Sequence, residues 1–391
     1  MSEKDADIAA DPTDLAEHPA FVAWKRVNEE SAPPTKIETL EKKGAVLRLV
    51  GVGPGHSNVI AKRSRKDQCM VENYIYKHIL PDLTLSSPTC YGRVKGFDRD
   101  YLGDRNYWLF IEDAGDEFYS SRLEDHQVLV SKWLGELHTS ASHLPNSDFL
   151  PDRSPAWFLE HLRSIRSEIR RQQSIWTTFG DDASVEIIVG HCDSLESRWH
   201  EIELACEEVP STLVHCDFVP KNICVRPTSN GKVLLPFDWE MAGWGNPAPD
   251  IAHLVNTYGT PLPSLQLIND PDGNDCLHGI HAYWATVREC WPHLNLHTFE
   301  RLALVGQIFR MLFFIGWTLE SIKRMRKKLS IKRMRKKDGT SNYFSGYQSL
   351  SMGETNIALP QTYLERPLAQ LRCYQTGFGS ALGYIKRGHL T

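Results

Sequence analysis

The chain has 391 residues, of which 41% are hydrophobic and 24% charged, and its net charge is -5. That much apolar material supports a packed core in one large bilobal unit or two domains and excludes a wholly disordered chain. The mild acidity gives no general reason to expect a nucleic-acid partner.

The elements follow in chain order. Residues 1–35 are polar and end in Ser31-Ala32-Pro33-Pro34, which predicts a leader or short helix with a linker. Met1 to Ala20 carries neither the basic region nor the apolar stretch of a secretory signal, so the expected location is cytoplasmic. Short β-like runs follow at Lys36–Leu40, Ala45–Val52 and Asn58–Lys62, with the turn Gly51-Val52-Gly53-Pro54-Gly55 between the last two. Met70 to Leu80 has helical spacing of Val71, Tyr74, Ile75 and Ile79. Strands are predicted at Thr89–Val94 and Tyr107–Ile111, the second ending in Glu112-Asp113-Ala114-Gly115.

Beyond about residue 120 the pattern turns helical: His126–Ser142, Pro155–Gln173 and Asp182–Val209. Strands return at Thr212–Val214, Ile223–Val225 and Val233–Phe237, with Asn230-Gly231 as a hairpin turn. Helices resume from residue 250. The domains expected are a leader (1–35), a small β-rich lobe (36–115) and a large helical lobe (116–391) with a hairpin inserted in it.

Nine cysteines are scattered without a C-x-x-C pair, which excludes a zinc ribbon or redox dithiol and fits a reducing compartment. Leu302 to Leu319 is mostly apolar but carries Gln307 and Arg310 at its middle. Arginine at the centre of a bilayer costs roughly 2.5–3.5 kcal/mol, so a core helix is predicted and no membrane partner. The octapeptide Ser-Ile-Lys-Arg-Met-Arg-Lys-Lys at 321–328 recurs at 330–337. On a helix this nine-residue offset puts the copies on opposite faces, so they build no single basic stripe. A duplicated, solvated segment is the expectation. A site for an anionic partner (RNA, a membrane surface or a phosphorylated substrate) is the alternative.

Residues 213–254 carry the chemistry. A strand ends at Val214, and His215 and Asp217 follow in a turn. Asn222 and Asp238 flank the hairpin, so their side chains can converge, with Asp217 beside them. Three hard oxygen donors grouped in this way suit Mg²⁺ together with substrate phosphates. Phosphoryl transfer needs this set: a carboxylate to orient the attacking hydroxyl, metal ions on the phosphate oxygens and a lysine for the remaining phosphates.

The spacing His215-x-Asp217-x-x-x-x-Asn222, followed by Asp238-Trp239-Glu240 and then Gly245-Asn246-Pro247-Ala248-Pro249-Asp250, resembles the aminoglycoside phosphotransferase and choline kinase superfamily. That resemblance implies an α+β, bilobal protein-kinase-like fold with a small β-rich N-lobe and a larger, mainly helical C-lobe. It implies that Asp217 is the catalytic base, that Asn222 and Asp238 are the magnesium ligands, that His215 braces the catalytic loop and that Asp250 supports it. It makes Lys62 the strand lysine on the α/β-phosphates, Glu72 its carboxylate partner and Tyr107–Gly115 the hinge, whose backbone at Glu112 and Ala114 would meet the base. The implied cofactors are ATP or GTP and Mg²⁺, and the implied partners are a nucleotide and a small-molecule hydroxyl acceptor.

No Asp-Phe-Gly, activation loop or Ala-Pro-Glu element is present, so a protein substrate is not expected. The resemblance puts an antibiotic such as an aminoglycoside first among acceptors. A natural-product intermediate or metabolite, such as a sugar, nucleoside or amino alcohol, is the alternative. A non-catalytic nucleotide-binding scaffold with a basic anion-binding segment ranks last, because it predicts decay of positions that are intact. Cys216 reads as a positional filler, and His138 and His253 as packing or surface residues.

Overall fold

A computed structural model describes residues 12–40, 45–99, 105–145, 147–173, 176, 182–254, 278–337, 369–372, 375, 379 and 383. The chain divides into two compact units, residues 1–119 with 219–241 and residues 120–218 with 242–391.

The first unit is built on an antiparallel sheet of five strands: β1 (Ile37–Thr39), β2 (Val46–Leu49), β3 (Val59–Ser64), β4 (Cys90–Arg99) and β5 (Arg105–Glu112). Their order is β1-β2-β3-β5-β4. Alternation sets the faces: Val59 and Ala61 are buried in the core, whereas Lys62 points to the opposite face. Two short helices precede the sheet, α1 (Pro12–Glu17) and α2 (Pro19–Trp24). Ala20, Phe21, Ala23 and Trp24 join Leu47, Leu49, Val59, Ala61 and Phe110 in one core. The Trp24 indole N–H donates to Ser31 Oγ at 2.9 Å, and Ser31 donates to the Val52 carbonyl at 3.0 Å. The described part of the stretch expected to be a polar leader is thus a component of the sheet's core. Its apolar residues, spaced within a single short helix, find their partners on the sheet.

Helix α3 (Lys66–Tyr74) runs into a π turn at Ile75–Ile79 and a 3₁₀ turn at Leu80–Asp82, where Pro81 ends the regular ladder. The hairpin of β8 (Ile223–Thr228) and β9 (Gly231–Pro236) belongs to this unit, not to the helical one in which it was expected. The reason is a backbone seam. Tyr119 donates to the Ile223 carbonyl at 2.9 Å, and Val225 donates to the Glu117 carbonyl at 2.8 Å.

The second unit holds α4 (Glu124–Ala141), α5 (Pro155–Arg171), α6 (Asp182–Glu196), α7 (Trp199–Glu207), α8 (Ala248–Leu254), α9 (His278–Val287) and α10 (Leu296–Lys337). One long helix was expected over 182–209. It breaks at Ser197-Arg198, where Ser197 Oγ bonds the Ser194 carbonyl and Arg198 leaves the helical region at φ -117°, ψ 16°. Three short strands were partly unforeseen. β6 (Asp152–Arg153), β10 (Gly243–Gly245) and β7 (Thr212–Val214) form a sheet in the order β6-β10-β7. The approach of β10 to β6 demands glycine, because a Cβ on Gly245 would stand 2.2 Å from the Arg153 carbonyl carbon and oxygen.

Helix α10 is long and apolar enough over Leu296–Met325 to cross a membrane, but 78% of its most apolar stretch is buried inside the protein. Its Phe309 stacks on Phe158 of α5 with ring centroids 3.9 Å apart. The first copy of the basic octapeptide starts on this helix, with Ile322 fully buried, and the helix continues through the second copy.

Candidate active site

In the second unit, strand β7 is buried along its whole length and delivers His215, Cys216 and Asp217 into a tight turn. Cys216 takes φ +63°, in the left-handed region that residues with a Cβ disfavour. The turn is held by Asp250, in the first turn of α8. Its carboxylate accepts the N–H of His215 at 2.7 Å and that of Cys216 at 2.8 Å. Asp250 is fully buried, a position a carboxylate occupies when such charge-assisted bonds replace water. Helix α8 is itself started by Asn246, whose Oδ1 accepts the Ala248 N–H at 2.9 Å. His215 Nδ1 accepts the Asp217 N–H at 3.3 Å, which fixes the backbone of the predicted base from two residues away.

His138 was expected to be a packing or surface residue, yet it completes this network. Its Nε2 lies 3.3 Å from Asp250 Oδ2, its Nδ1 lies 2.7 Å from the Tyr283 hydroxyl, and its ring is fully buried. The available signal was its position one turn after Leu134 on the apolar face of α4. Burial pushes the Tyr283 hydroxyl, with the Asp250 charge nearby, well above its ordinary value, so it stays a neutral partner.

In the first unit, Lys62 stands on β3 and Glu72 on α3. The Lys62 ammonium donates to Glu72 and to Asp238, and Glu240 Oε2 lies at 3.2 Å. Burial alone would lower the Lys62 pKa, but the charges of Glu72, Asp238 and Glu240 outweigh it and hold the ammonium well above its usual range. Burial pushes the fully buried Glu72 carboxyl up to about 8, against the pull of Lys62. Oxygen atoms of Glu72, Asp238 and Glu240 all lie within 4.8 Å of one another. Glu240 was read as part of the motif and not as a site residue; its place two positions after Asp238 was the signal.

Asp238 takes φ +68°, a conformation aspartate tolerates better than most residues. The base of the hairpin is closed by the Phe237 N–H donating to the Asn222 carbonyl at 2.9 Å, so Asn222 and Asp238 leave the hairpin at the same end. The Asn222 amide and the Asp238 and Glu240 carboxylates are hard oxygen donors of the kind a magnesium ion takes.

The hinge residues are placed within this unit too. The Glu112 N–H donates to the Thr89 carbonyl at 2.7 Å, and its carboxylate accepts from Arg226 at 2.5 Å and from Thr89 Oγ1 at 2.9 Å. Burial acts to raise the Glu112 pKa, but the Thr89 and Arg226 bonds prevail and lower it. Ala114 is buried against Cys224 and Leu235, with Val233 and Phe237 beside them. The turn after β2 is ordered by the Gly53 N–H donating to the Ser57 carbonyl at 2.8 Å and the Gly51 N–H donating to Asn58 Oδ1 at 3.2 Å.

The structure therefore brings Lys62, Glu72 and Asp238 together in one unit, and His215, Asp217 and Asp250 together in the other. Asn222, Glu112 and Ala114 lie in the first.

Comparison with known proteins agrees with this architecture. The APH family model, described as the phosphotransferase enzyme family, matches residues 48–290. An ethanolamine kinase of Plasmodium vivax is similar in structure, with a TM-score of 0.52 and 14% identity, covering 86% of this chain and 95% of that one. A microcompartment-associated aminopropanol kinase gives a TM-score of 0.51 at 13% identity, covering 91% and 93%. At these identities the likeness is one of fold. Acyl-CoA dehydrogenase family member 11 of Mus musculus is 35% identical over 100 residues, which is 26% of this chain and 12% of the mouse protein's length.

Proposed function

This chain belongs to the phosphotransferase enzyme family, with a bilobal kinase-like α+β fold, and from that premise we propose that it moves the γ-phosphoryl group of ATP or GTP, with magnesium, onto a hydroxyl of a small molecule. The observation that carries the reading is the convergence of Lys62 with Glu72 and with Asp238, the last 176 residues away in the chain. A buried ammonium aimed at a cluster of carboxylates is the equipment for holding phosphate oxygens beside a divalent cation.

Each residue then has a task. Asp217 accepts the proton of the acceptor hydroxyl as its oxygen attacks phosphorus. The Lys62 ammonium binds oxygens of the other phosphates, and Glu72 keeps that ammonium in place. Asn222 and Asp238 would hold magnesium, whose positive charge would offset that of the phosphate oxygens. The buried apolar cluster of Ala114, Cys224 and Leu235 packs beside the Glu112–Ala114 segment, whose backbone would meet the base.

For the acceptor, an aminoglycoside or related antibiotic is proposed first, on the motif resemblance, with amino alcohols, sugars and nucleosides as the alternative class. The reaction is assigned to the cytoplasm. The described cysteines Cys69, Cys90, Cys192, Cys206, Cys216, Cys224 and Cys290 are all free thiols, which supports a reducing compartment. Fractionation of cells bearing the tagged protein tests this assignment, and recovery with the membranes counts against it.

The deciding experiment measures ADP formation from Mg-ATP against a panel of aminoglycosides, macrolides, amino alcohols, sugars and nucleosides, with mass spectrometry of the products. Asp217→Ala should lower turnover by about 10²–10⁴-fold, the usual contribution of a general base. Undiminished turnover in that variant would overturn the assignment of the base. No phosphorylated product from any class would overturn the acceptor proposal.

A further inference from the structure

We propose that Arg226, on β8, is a positioning residue for the nucleotide base, acting through the Asp113–Ala114 peptide group. This rests on the reading of the Glu112–Ala114 backbone as the segment that meets the base.

The Arg226 guanidinium spans two groups of that segment. Its Nη2 donates to the Asp113 carbonyl at 2.7 Å, and its Nη1 donates to Glu112 Oε1 at 2.5 Å. Glu112 is itself held, because its other carboxylate oxygen accepts the Thr89 N–H at 3.0 Å and the Thr89 hydroxyl at 2.9 Å. A planar guanidinium with two fixed acceptors has its fork set in one direction. The arginine stands within β8, opposite Val233 of β9, so the hairpin backbone fixes the origin of its reach.

Holding a carbonyl has a consequence on the far side of the peptide. The Asp113–Ala114 bond is trans, so its C=O and N–H lie in one plane and point in opposite directions. Arg226 on the carbonyl therefore aims the Ala114 N–H away from the guanidinium. Ala114 is buried, and among the described residues none accepts that N–H. Buried amide donors are nearly always paired, so this one points to an acceptor on a ligand. The cation also draws charge from the carbonyl. Hydrogen bonds in series polarise one another, which makes the N–H a stronger donor. On adenine the acceptor it fits is the ring nitrogen N1.

The Asp113 side chain fixes the same residue from the sheet. Its Oδ1 accepts the Gly115 N–H at 3.1 Å. Its Oδ2 accepts from Asn58 Nδ2 at 3.3 Å and lies 2.7 Å from Arg48 Nε. Arg48 is on β2 and Asn58 immediately precedes β3. The segment is thus tied to the sheet through the Asp113 carboxylate and to the hairpin through the Asp113 carbonyl.

The test measures binding of Mg-ATP and Mg-1-deaza-ATP to the whole chain by titration calorimetry. In the analogue a C–H replaces the N1 acceptor of adenine. The parent should bind ATP about 3- to 10-fold more tightly than the analogue, the scale of one hydrogen bond. Arg226→Met should lower the affinity for ATP by about that factor and leave the affinity for the analogue within about twofold, so that the preference disappears. Arg226→Lys, which returns a cationic donor to the carbonyl without the fork, should prefer ATP more than Arg226→Met does. Equal losses for both nucleotides in Arg226→Met would mark a merely structural role and overturn the proposal. So would a lysine variant no better than the methionine one. If the parent prefers ATP and Arg226→Met does so equally, Arg226 has no part in positioning and the reading of the segment stands. If the parent binds the two nucleotides alike, base recognition at Ala114 fails and the proposal falls with it.

Discussion

Asp250 Oδ1 accepts the backbone N–H of Cys216 at 2.8 Å, and both residues are buried. The other oxygen of the same carboxylate takes the N–H of His215, so one side chain holds two consecutive amides of the turn that carries Asp217.

Replacing this carboxylate tests the turn. Asp250→Asn keeps the size but presents an NH₂ where one amide now finds an acceptor. Hydrogen bonds to charged groups contribute about 1.5–3 kcal/mol, so a stability loss of that order is expected in urea unfolding, together with at least tenfold slower turnover of Mg-ATP. Full activity in Asp250→Asn would show that the turn is held by its other contacts.

Glu72 makes stability depend on pH. Its folded pKa is raised to about 8 from an ordinary 4.5 by burial. Below pH 4.5 the carboxyl holds its proton in both states and the contribution is fully present. Between 4.5 and 8 the folded protein keeps a proton that the unfolded chain has released, so stability falls as pH rises, and above 8 the contribution is gone. The nucleotide-free protein should therefore melt lower at pH 8.5 than at pH 6.5, and Glu72→Gln should flatten that difference. An unaltered slope in Glu72→Gln would locate the dependence elsewhere.

Lys62 should separate nucleotide binding from folding. Lys62→Met removes the ammonium from the cluster, leaving Asp238 and Glu240 without their counter-charge. Loss of the thermal shift given by Mg-ATP is expected. Double substitution with Glu240→Gln should recover stability without restoring the shift. A normal shift in Lys62→Met would remove this lysine from the phosphate site.

Trp24 anchors the first unit. Its ring packs against Tyr91 and Phe110 with centroids 5.4 and 5.3 Å away, and its indole N–H is bonded to Ser31. Trp24→Ala should cost about 3–5 kcal/mol, the usual range for a buried aromatic. A loss under about 1 kcal/mol in denaturant unfolding would mean that the segment is as dispensable as a leader.

Gly306 fixes the crossing of α10 over α8. A Cβ there would stand 1.9 Å from the Ala248 carbonyl oxygen, which must move for any larger residue to fit. Gly306→Ala should destabilise by about 1–3 kcal/mol as overpacking does and, by displacing the helix that carries Asp250, slow turnover as well. Unchanged melting would show that the two helices slide apart freely.

Much of this was legible in the sequence for a physical reason. The hairpin at 223–236 is announced by Asn230-Gly231 between β-forming runs, and a hairpin brings its own ends together, so Asn222 and Asp238 could be paired without knowing the fold. Glu240 sat inside the same motif. His138 was harder, because a histidine on an apolar helix face looks the same whether it fills space or bonds a carboxylate across 112 residues.

Turn chemistry and hydrophobic period act over a few residues. By themselves they determined the strand, turn and hairpin of 213–238, the helical run of the second half and the chemical types needed for phosphoryl transfer. They could not determine partners. Lys62 meets Asp238 across 176 residues, Trp24 meets Phe110, and Asp250 reaches the amides of His215 and Cys216 across 35 and 34 residues. Those contacts exist only once sheets and helices bury their faces, and burial decides which charges are paired and which carboxyl keeps its proton.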